Sequence, residues 1–254
     1  MNSIHSNAQI GEGTTIGAFS VIEENVQIGE NCWIGPNVTI MDGARIGDNC
    51  RVFPGAVISA VPQDLKYDGE DTLAEIGSNT TIRECVTINK GTTDRNTTKV
   101  GDNCLLMAYV HIAHDTFVGN NCIIANSANI AGHVDIEDWV IIEGVVAIQQ
   151  FVTIGQHAFI GGGSHVRKNV PPFIKAAREP LSYVGVNSIG LRRRGFENEV
   201  VTSIEDIYRA LYVHSNNITQ AVKAAEMELP SSKSKDLILN FIRNSDKGII
   251  RGPF

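Results

Sequence analysis

The chain has 254 residues, of which 43% are hydrophobic and 19% are charged, and its formal net charge is -7. This composition is typical of a globular protein of one or two domains with a substantial core. The negative charge argues against general binding to nucleic acid. No apolar run approaches the roughly 18 residues of a membrane span, and the first residues lack the regions of a signal peptide, so we expect a cytoplasmic location.

From the N-terminus onward, an isoleucine, valine or leucine returns at every sixth residue. The series begins at Ile4, Ile10 and Ile16 and, after two interruptions, continues to Val166. Neither a helix, with a period of about 3.6 residues, nor a strand, with a period of two, produces this spacing. The repeat predicts a β-helix of hexapeptide units, in which three hexads close one triangular coil and successive coils stack ~4.8 Å apart.

Two positions within the hexads carry a further signal. The fourth is often Asn or Gly, which tolerate left-handed backbone angles, and this predicts that the chain turns its corners there. The fifth is small and holds four of the five cysteines: Cys32, Cys50, Cys104 and Cys122. We interpret these four as small buried thiols and not as disulfide partners or metal ligands.

The repeat predicts a β-helix domain over residues 1–172. Two segments interrupt it, near residues 60–75 and 90–99, and a β-helix would carry such insertions as surface loops. The second insertion is polar and suggests a mobile loop. The proline pair Pro171-Pro172 ends the domain.

The rest of the chain has a different periodicity. After a connecting segment over residues 173–195, apolar residues recur at three- and four-residue spacing, which is typical of helices. The predicted helices lie near residues 197–214, 218–228 and 233–244. We therefore predict a small C-terminal helical domain over residues 196–254.

The stacking of coils predicts a cluster of polar residues on one edge. In the uninterrupted repeat, residues 18 apart lie directly above one another. The two neighbouring columns on this edge are His114, Gly132 and Gln150, and Asp115, His133 and Phe151. His111 lies three residues before His114. The packing of a β-helix needs none of these polar side chains, so their convergence indicates a site.

Three interpretations of this edge remain open from the residues alone. A histidine can act as general base towards a hydroxyl while the Gly132 N–H stabilises an oxyanion, which describes acyl transfer to an alcohol. Alternatively, His111, His114 and His133 could bind zinc, as in the β-helical carbonic anhydrases. The edge could also be inert. The other histidines lack such company and are interpreted as structural or solvated: His5, His157, His165 and His214.

Basic residues are concentrated where the repeat ends. Between Val166 and Gly195 there are seven basic residues and one acid, Glu179. A local basic surface on an acidic protein suggests an anionic ligand or an acidic partner.

Four segments resemble the bacterial acyl-carrier-protein–UDP-N-acetylglucosamine O-acyltransferases, which catalyse the first step of lipid A biosynthesis. They are Ile-Ala-His-Asp at 112–115, Ala-Gly-His-Val at 131–134, Gln-Asp-Leu-Lys-Tyr at 63–67 and Gly-Leu-Arg-Arg-Arg-Gly-Phe at 190–196. The last two are far more specific than the hexapeptide repeat, and the resemblance covers essentially the whole chain.

The resemblance implies a left-handed parallel β-helix that assembles as a homotrimer with active sites between subunits. It assigns His114 as the general base that removes a proton from the glucosamine 3-hydroxyl, which then attacks the thioester of an (R)-3-hydroxyacyl chain on acyl carrier protein. The Gly132 amide would hold the oxyanion, and Asp115 would orient or polarise His114. No metal and no cofactor are implied beyond the phosphopantetheine arm of the carrier protein.

The resemblance also assigns substrate-binding positions. Those that would bind the sugar nucleotide or the acyl donor are Asp64, Lys66, His111 and His133, and those that match nucleotide-contacting positions are Gln150, Asn187 and Arg193. Gly162 matches the position that limits acyl-chain length, and glycine there would favour a long chain. The basic stretch at Arg192–Arg194 would suit the acidic carrier protein.

Two residues depart from the family pattern. Gln149 stands where many relatives have histidine, and Ile189 stands where an acidic residue is common. The nearest competing assignment is the related N-acyltransferase of UDP-3-O-acylglucosamine. That enzyme typically carries an extra N-terminal domain, whereas here the repeat begins at Ile4.

Overall fold

The computed structural model describes residues 1–213 and 217–252. This part of the chain forms 27 strands and, towards the C-terminus, four helices. The strands are β1 (Ser3–Ile4), β2 (Gln9–Ile10), β3 (Thr15–Ile16), β4 (Val21–Ile22), β5 (Gln27–Ile28), β6 (Trp33–Ile34), β7 (Thr39–Ile40), β8 (Ala44–Ile46), β9 (Arg51–Val52), β10 (Val57–Ala60), β11 (Leu73–Ile76), β12 (Thr81–Ile82), β13 (Thr87–Asn89), β14 (Thr97–Val100), β15 (Leu105–Leu106), β16 (His111–Ile112), β17 (Phe117–Val118), β18 (Ile123–Ile124), β19 (Asn129–Ile130), β20 (Asp135–Ile136), β21 (Ile141–Ile142), β22 (Ala147–Ile148), β23 (Thr153–Ile154), β24 (Phe159–Ile160), β25 (His165–Val166), β26 (Ile174–Ala177) and β27 (Ser182–Val186). The helices are α1 (Ser188–Arg193), α2 (Asn198–Tyr212), α3 (Ile218–Glu228) and α4 (Lys233–Arg243).

Every third strand belongs to the same sheet, so the chain winds around three parallel sheets. The first sheet runs from β1 through β4 to β25, the second from β2 to β23, and the third from β3 to β24, extended by β26 and β27. Residues 18 apart pair directly in the uninterrupted part, as Ile112 does with Ile130 and Ile130 with Ile148. The predicted left-handed parallel β-helix with a C-terminal helical domain is therefore confirmed.

The core is the interior of the coil. The first residue of each hexad points inward, and Ile34, Ile88 and Ile130 are fully buried, as are most of their equivalents. These aliphatic side chains stack in columns along the helix axis. The burial of each such side chain contributes about 2 kcal/mol of stability, and this hydrophobic contribution is the main one that holds the coils together.

The corners lie at the fourth position of the hexad, as predicted. Asn31 and Asn121 adopt left-handed angles, with φ of 55° and 57°. The same conformation occurs at Asp115, with φ of 58°, and at His133, with φ of 60°. The geometry of the coil imposes this angle even on residues that do not favour it.

The fifth position is small because its side chain fits under the next coil and bonds to it. Cys104 Sγ lies 3.1 Å from the Gly119 carbonyl oxygen, and Thr80 Oγ1 donates to the Gly101 carbonyl at 2.9 Å. All four predicted cysteines are buried with free thiols. They take the same place as the hydroxyls of Thr and Ser, so they are structural donors as well as space fillers.

This role predicts the effect of replacing one cysteine. Cys104→Ser should change the free energy of unfolding little, because the hydroxyl can donate to Gly119 as Thr80 does to Gly101. Cys104→Ala should destabilise by about 1 kcal/mol, because it leaves a buried carbonyl short of a donor. Thermal unfolding would measure both, with Cys85→Ala at a half-buried corner as control. Equal melting of the serine and alanine variants would contradict the role.

Both insertions leave the β-helix at the same corner. We call the edge between the first and second sheets the first corner, that between the second and third the second corner, and that between the third and first the third corner. The insertions connect β10 to β11 and β13 to β14, which are first-sheet and second-sheet strands. The first corner is therefore the corner at which both inserted loops project from the β-helix.

The C-terminal part closes one end of the β-helix. The segment predicted as a connection contains β26, β27 and the short helix α1, which the sequence pattern did not predict. Helices α2, α3 and α4 match the three predicted ones within two residues, except that His214 lies outside the described residues. Tyr208 of α2 is fully buried and donates to the Pro172 carbonyl at 2.6 Å. None of the described helices has the length and apolarity needed to cross a membrane.

Candidate active site

His114 and Asp115 form a close pair at the first corner. His114 Nδ1 lies 2.8 Å from Asp115 Oδ2, and the side chains are 14% and 0% exposed. Adjacent residues of a strand point to opposite faces, which would separate these groups. The left-handed angle at Asp115 removes that obstacle, because it turns the chain between the two residues.

Asp115 is a buried acceptor surrounded by donors. Besides His114, it accepts from the Thr92 hydroxyl at 2.6 Å, the Thr92 N–H at 3.0 Å and the Arg95 N–H at 3.2 Å. Burial raises the pKa of this carboxyl, but the hydrogen bonds outweigh burial and the net pKa is lowered. The ionised carboxylate then requires a proton on His114 Nδ1, so that Nε2 is free to accept a proton.

The second insertion builds this environment, which the sequence did not reveal. Thr92 and Arg95 belong to it and bond to Asp115, and the Arg95 guanidinium also binds Asp135 at 2.6 and 3.0 Å. Arg95 lies 4.8 Å above the Phe117 ring. The second insertion, which the sequence suggested to be mobile, is therefore held against the β-helix by several contacts.

Gly132 lies one coil from His114 and touches its ring. A methyl group added at Gly132 would come within 2.7 Å of His114 Cε1 and 2.8 Å of Nε2. These distances are shorter than any normal contact, so only glycine allows the ring to occupy this position. The edge of the imidazole that carries Nε2 thus lies beside the open side of Gly132, in agreement with the predicted stacking of residues 18 apart.

The Gly132 N–H belongs to a set of amides that project outward at the third position of the hexad. In other coils such amides bind carboxylates: Ser78 N–H donates to Asp102 Oδ1 at 2.7 Å, and Gln156 N–H donates to Glu137 Oε2 at 2.8 Å. Among the described residues, none accepts a hydrogen bond from the Gly132 N–H. The same donor that binds a carboxylate elsewhere is therefore available to an external oxyanion beside His114.

Gly132→Ala should abolish most of the activity while the fold persists. The added methyl would displace the His114 ring, so the base and the amide would no longer face the same point. We expect a loss in kcat of at least about a hundredfold, as is typical when an oxyanion donor is removed. Glu30→Ala is the control, because it changes an exposed side chain at the same hexad position in a distant coil. Similar losses in both variants would contradict this assignment.

His133 lies next to His114 in the same corner. The two rings meet edge to face at 5.0 Å, and His133 stacks on Phe151 at 4.6 Å. His133 Nδ1 is 3.0 Å from Asp94 Oδ2, but the two atoms are not aligned for a hydrogen bond. Within the described part of the chain this buried nitrogen therefore has no hydrogen-bond partner. A ligand at this corner could supply one.

His111 lies on the outer face of β16, one residue before the buried Ile112. Its Nδ1 is 2.8 Å from Thr87 Oγ1. Burial and the nearby His114 lower the pKa of His111. The lowered pKa favours the neutral form of His111, which can donate or accept a hydrogen bond beside His114 without adding charge.

The geometry of the histidines differs from the predicted zinc site. The ligand atoms that come within 4.8 Å of one another belong to His114, Asp115 and His133, and His111 is not among them. Asp115 is already saturated by donors from Thr92, Arg95 and His114. A metal would have to break these hydrogen bonds, so the arrangement fits a hydrogen-bonded base better than a zinc centre.

The predicted substrate-binding residues divide between the three corners of a single subunit. Asp64 and Lys66 lie on the first insertion, at the first corner, where Asp64 Oδ1 accepts from the Lys66 N–H at 3.0 Å. Gln150 is exposed at the same corner, two coils from His114. Gly162 follows β24 and therefore lies at the third corner.

Asn187 and Arg193 lie near the second corner, away from His114. Asn187 is buried, and its Nδ2 donates to the carbonyl of His157, a residue that follows β23. Arg193 is exposed on α1, and Ile189 is 61% exposed on the same helix. One subunit therefore does not bring these residues to the His114 corner.

The fold and the site define an acyltransferase of the hexapeptide-repeat class. A family profile described as bacterial transferase hexapeptide matches residues 25–60 and 97–132. A second profile, described as UDP N-acetylglucosamine O-acyltransferase, domain 2, matches residues 169–250. The first profile falls within the β-helix, and the second spans the C-terminal helices.

Full-length comparisons identify the family. The chain is 51% identical over 247 residues to the acyl-[acyl-carrier-protein]–UDP-N-acetylglucosamine O-acyltransferase of Sulfurihydrogenibium sp., covering 97% of this chain and 91% of that protein. It superposes on a UDP-N-acetylglucosamine acyltransferase from Bacteroides fragilis with a TM-score of 0.96 and 48% identity over 98% of both chains. For the Francisella novicida enzyme the values are 0.93 and 37%, over 99% of this chain and 93% of that one. The chain belongs to the UDP-N-acetylglucosamine O-acyltransferase family, which confirms the resemblance seen in its sequence.

Proposed function

We propose that this protein transfers an (R)-3-hydroxyacyl chain from acyl carrier protein to the 3-hydroxyl of UDP-N-acetylglucosamine, the first step of lipid A biosynthesis. The observation that carries the proposal is the position of His114 Nε2 beside the open side of Gly132, where a Cβ would lie, with His114 Nδ1 held by ionised Asp115. A base and an oxyanion donor that face one point are what acyl transfer to an alcohol requires.

In the proposed mechanism, His114 Nε2 takes the proton from the sugar 3-hydroxyl as its oxygen attacks the thioester carbon. The carbonyl oxygen of the tetrahedral intermediate becomes negative and accepts a hydrogen bond from the Gly132 N–H. When the intermediate collapses, the carbon–sulfur bond breaks, and the protonated His114 returns the proton to the departing thiolate. Asp115 stabilises the imidazolium throughout and remains ionised. The residues require no metal and no cofactor beyond the carrier's phosphopantetheine arm.

We further propose a homotrimer whose active sites lie between subunits. Asn187 and Arg193 lie near the second corner of a subunit, whereas His114 lies at the first. A neighbouring subunit that brings its second corner to the first would unite the nucleotide-contacting residues with the base. On this proposal Asp64, Lys66, His111, His133 and Gln150 bind the substrates at the first corner.

The acyl chain would extend to the third corner, past Gly162. A methyl group at Gly162 would lie 3.4 Å from the Gly144 carbonyl oxygen and 3.6 Å from Glu143 Oε2, so within one subunit glycine leaves unfilled a position that could hold a methyl group. This supports a preference for a long chain over a ten-carbon one. We place the reaction in the cytoplasm, where sugar nucleotides and acyl carrier proteins are made.

The test is to incubate the protein with UDP-N-acetylglucosamine and a panel of hydroxyacyl carrier proteins of different chain length. Mass spectrometry of the product should show one added hydroxyacyl group, and mild alkaline hydrolysis should remove it as expected of an ester. The 3-amino analogue of the sugar nucleotide would test the acceptor, because its amide product resists such hydrolysis. A failure to transfer from any donor would refute the proposal, and equal turnover of short and long donors would refute the chain preference.

A further inference from the structure

The column of the active site continues to the C-terminal end of the β-helix and ends in two cations. Strand β22 pairs with β25, so that Ile148 lies beside Val166. Lys168 therefore follows Gln150 in the column that begins with His114 and Gly132, and Arg167 follows Gln149 in the neighbouring one. Three coil spacings separate Lys168 from His114, which is ~14 Å.

The C-terminal strap, residues 247–251, adds two more cations at this place. Asn169 N–H donates to the Gly248 carbonyl at 3.1 Å, and Ile250 N–H donates to the Asn169 carbonyl at 3.0 Å. This backbone pairing holds Arg251 beside the last coil. Lys247 Nζ lies 5.4 Å from the Phe151 ring, which itself stacks on His133.

Three of these cations lack a partner within the described part of the chain. Among the described residues, none forms an ion pair or a side-chain hydrogen bond with Arg167, Lys168 or Arg251, and all three are exposed. They surround a concave pocket of about 260 Å³ in which Glu179 is the acid present. A group of unpaired cations around a concave surface is a site for an anionic partner.

The basic run at Arg192–Arg194, which the sequence favoured, is less available. Arg194 donates to His157 Nδ1 at 3.1 Å and lies 5.2 Å above the Trp139 ring. Burial lowers the pKa of His157 to about 4, so this histidine is a neutral acceptor. Arg192 bonds to Asn198 at 2.9 Å, which leaves Arg193 exposed.

The exposed side of helix α2, which follows the basic run, is acidic. Glu199 lies in the first turn of α2, and Asp206 is exposed further along it, paired with Arg209. An acidic partner would be repelled by this surface and attracted to the cations at the end of the first corner.

We infer that Arg167, Lys168, Arg251 and Lys247 form the docking surface for the acidic acyl carrier protein. The inference rests on the proposed function and specifies where its donor binds. With the carrier at the end of the first corner, the phosphopantetheine arm runs down the His114 column past Gln150 and presents its thioester at Gly132. The cations then attract the carrier and set the direction in which the arm enters.

The test compares the double variant Arg167→Glu/Lys168→Glu with wild type on two donors that carry the same acyl chain. One donor is the hydroxyacyl carrier protein, and the other is hydroxyacyl-pantetheine, which lacks both the protein and the phosphate. We expect kcat/KM with the carrier protein to fall by about tenfold or more and its dependence on salt to weaken. With hydroxyacyl-pantetheine, kcat/KM should stay within about twofold. Lys223→Glu/Lys233→Glu on α3 and α4 is the matched control, with the same charge change at two other exposed sites.

An unchanged rate of the double variant with the carrier protein, or an equal loss with both donors, would overturn the inference. Binding of the holo carrier protein without sugar nucleotide, measured by titration calorimetry, gives a readout that does not depend on catalysis, and the double variant should weaken it by a similar factor. Absence of turnover in the wild type with both donors would refute the proposed function, whereas a charge-dependent carrier complex would still support the docking surface.

Discussion

His114→Ala should lower kcat by about 10²- to 10⁴-fold, the range typical for loss of a general base. Removal of the ring takes one donor away from Asp115, but this carboxylate keeps its hydrogen bonds from Thr92 and Arg95. The fold and the assembly should therefore survive. Steady-state assays with saturating donor would measure the loss, and gel filtration together with thermal unfolding would verify the fold.

The control for this variant is His5→Ala, which removes an exposed histidine at the same corner but five strands away from His114 along the first sheet. It should retain wild-type turnover. If His114→Ala kept more than about a tenth of wild-type activity, then His114 would not be the base and the mechanism would have to be abandoned. A scaffold without catalysis would show no difference between the two variants.

Asp115→Asn should lower kcat by about 10²- to 10⁴-fold for a different reason. The carboxylate accepts hydrogen bonds from His114 Nδ1, the Thr92 hydroxyl and N–H, and the Arg95 N–H, and it has no donor of its own. An amide has to direct its NH₂ group towards one of these donors. If it faces His114, the proton moves to Nε2 and the ring can no longer act as a base.

Asp135→Asn is the matched control for Asp115→Asn. Asp135 binds the Arg95 side chain, so it holds the same insertion, but it is not among the groups that bond to His114. Its loss should cost stability with only a small effect on kcat. If both substitutions reduced kcat equally, the effect would come from the insertion as a whole and not from the tautomer of His114.

Asp115→Asn should also change how stability depends on pH. Because the folded pKa of Asp115 is lowered, its carboxylate stabilises the protein fully above the unfolded pKa of ~3.9. This stabilisation is lost as the pH falls through the lower folded value. The free energy of unfolding of the wild type should therefore exceed that of Asp115→Asn by about 2 kcal/mol at pH 7, and this difference should shrink in acid. A difference that is constant down to pH 2 would contradict the lowered pKa.

The corner geometry explains how the proposed base and its carboxylate partner come together. A straight strand would direct His114 and Asp115 to opposite faces, but the left-handed angle at Asp115 allows their side chains to meet. The same turn leaves third-position amides such as that of Gly132 pointing outward. The β-helix thus produces paired side chains and free backbone donors at its corners, and one corner of this protein uses both.

Much of the architecture could be predicted from the chain alone, because a six-residue period has few physical solutions. The spacing of isoleucines predicted the coils, and the 18-residue stacking predicted that His114, Gly132 and Gln150 form a column. The resemblance of four short segments predicted the family, which the comparisons confirmed. Helices α2 to α4 were predicted from their apolar spacing, which is also a local property.

The contacts of the two insertions and of the chain end could not be predicted in this way. Thr92 and Arg95 lie in a segment without periodicity, and nothing in its composition indicates that it folds onto Asp115. Arg251 reaches the last coil through backbone pairing between segments far apart in the chain, since Asn169 bonds to Gly248 and Ile250. Repeating elements follow from short-range spacing, whereas these contacts depend on which surfaces meet once the coils and helices have packed.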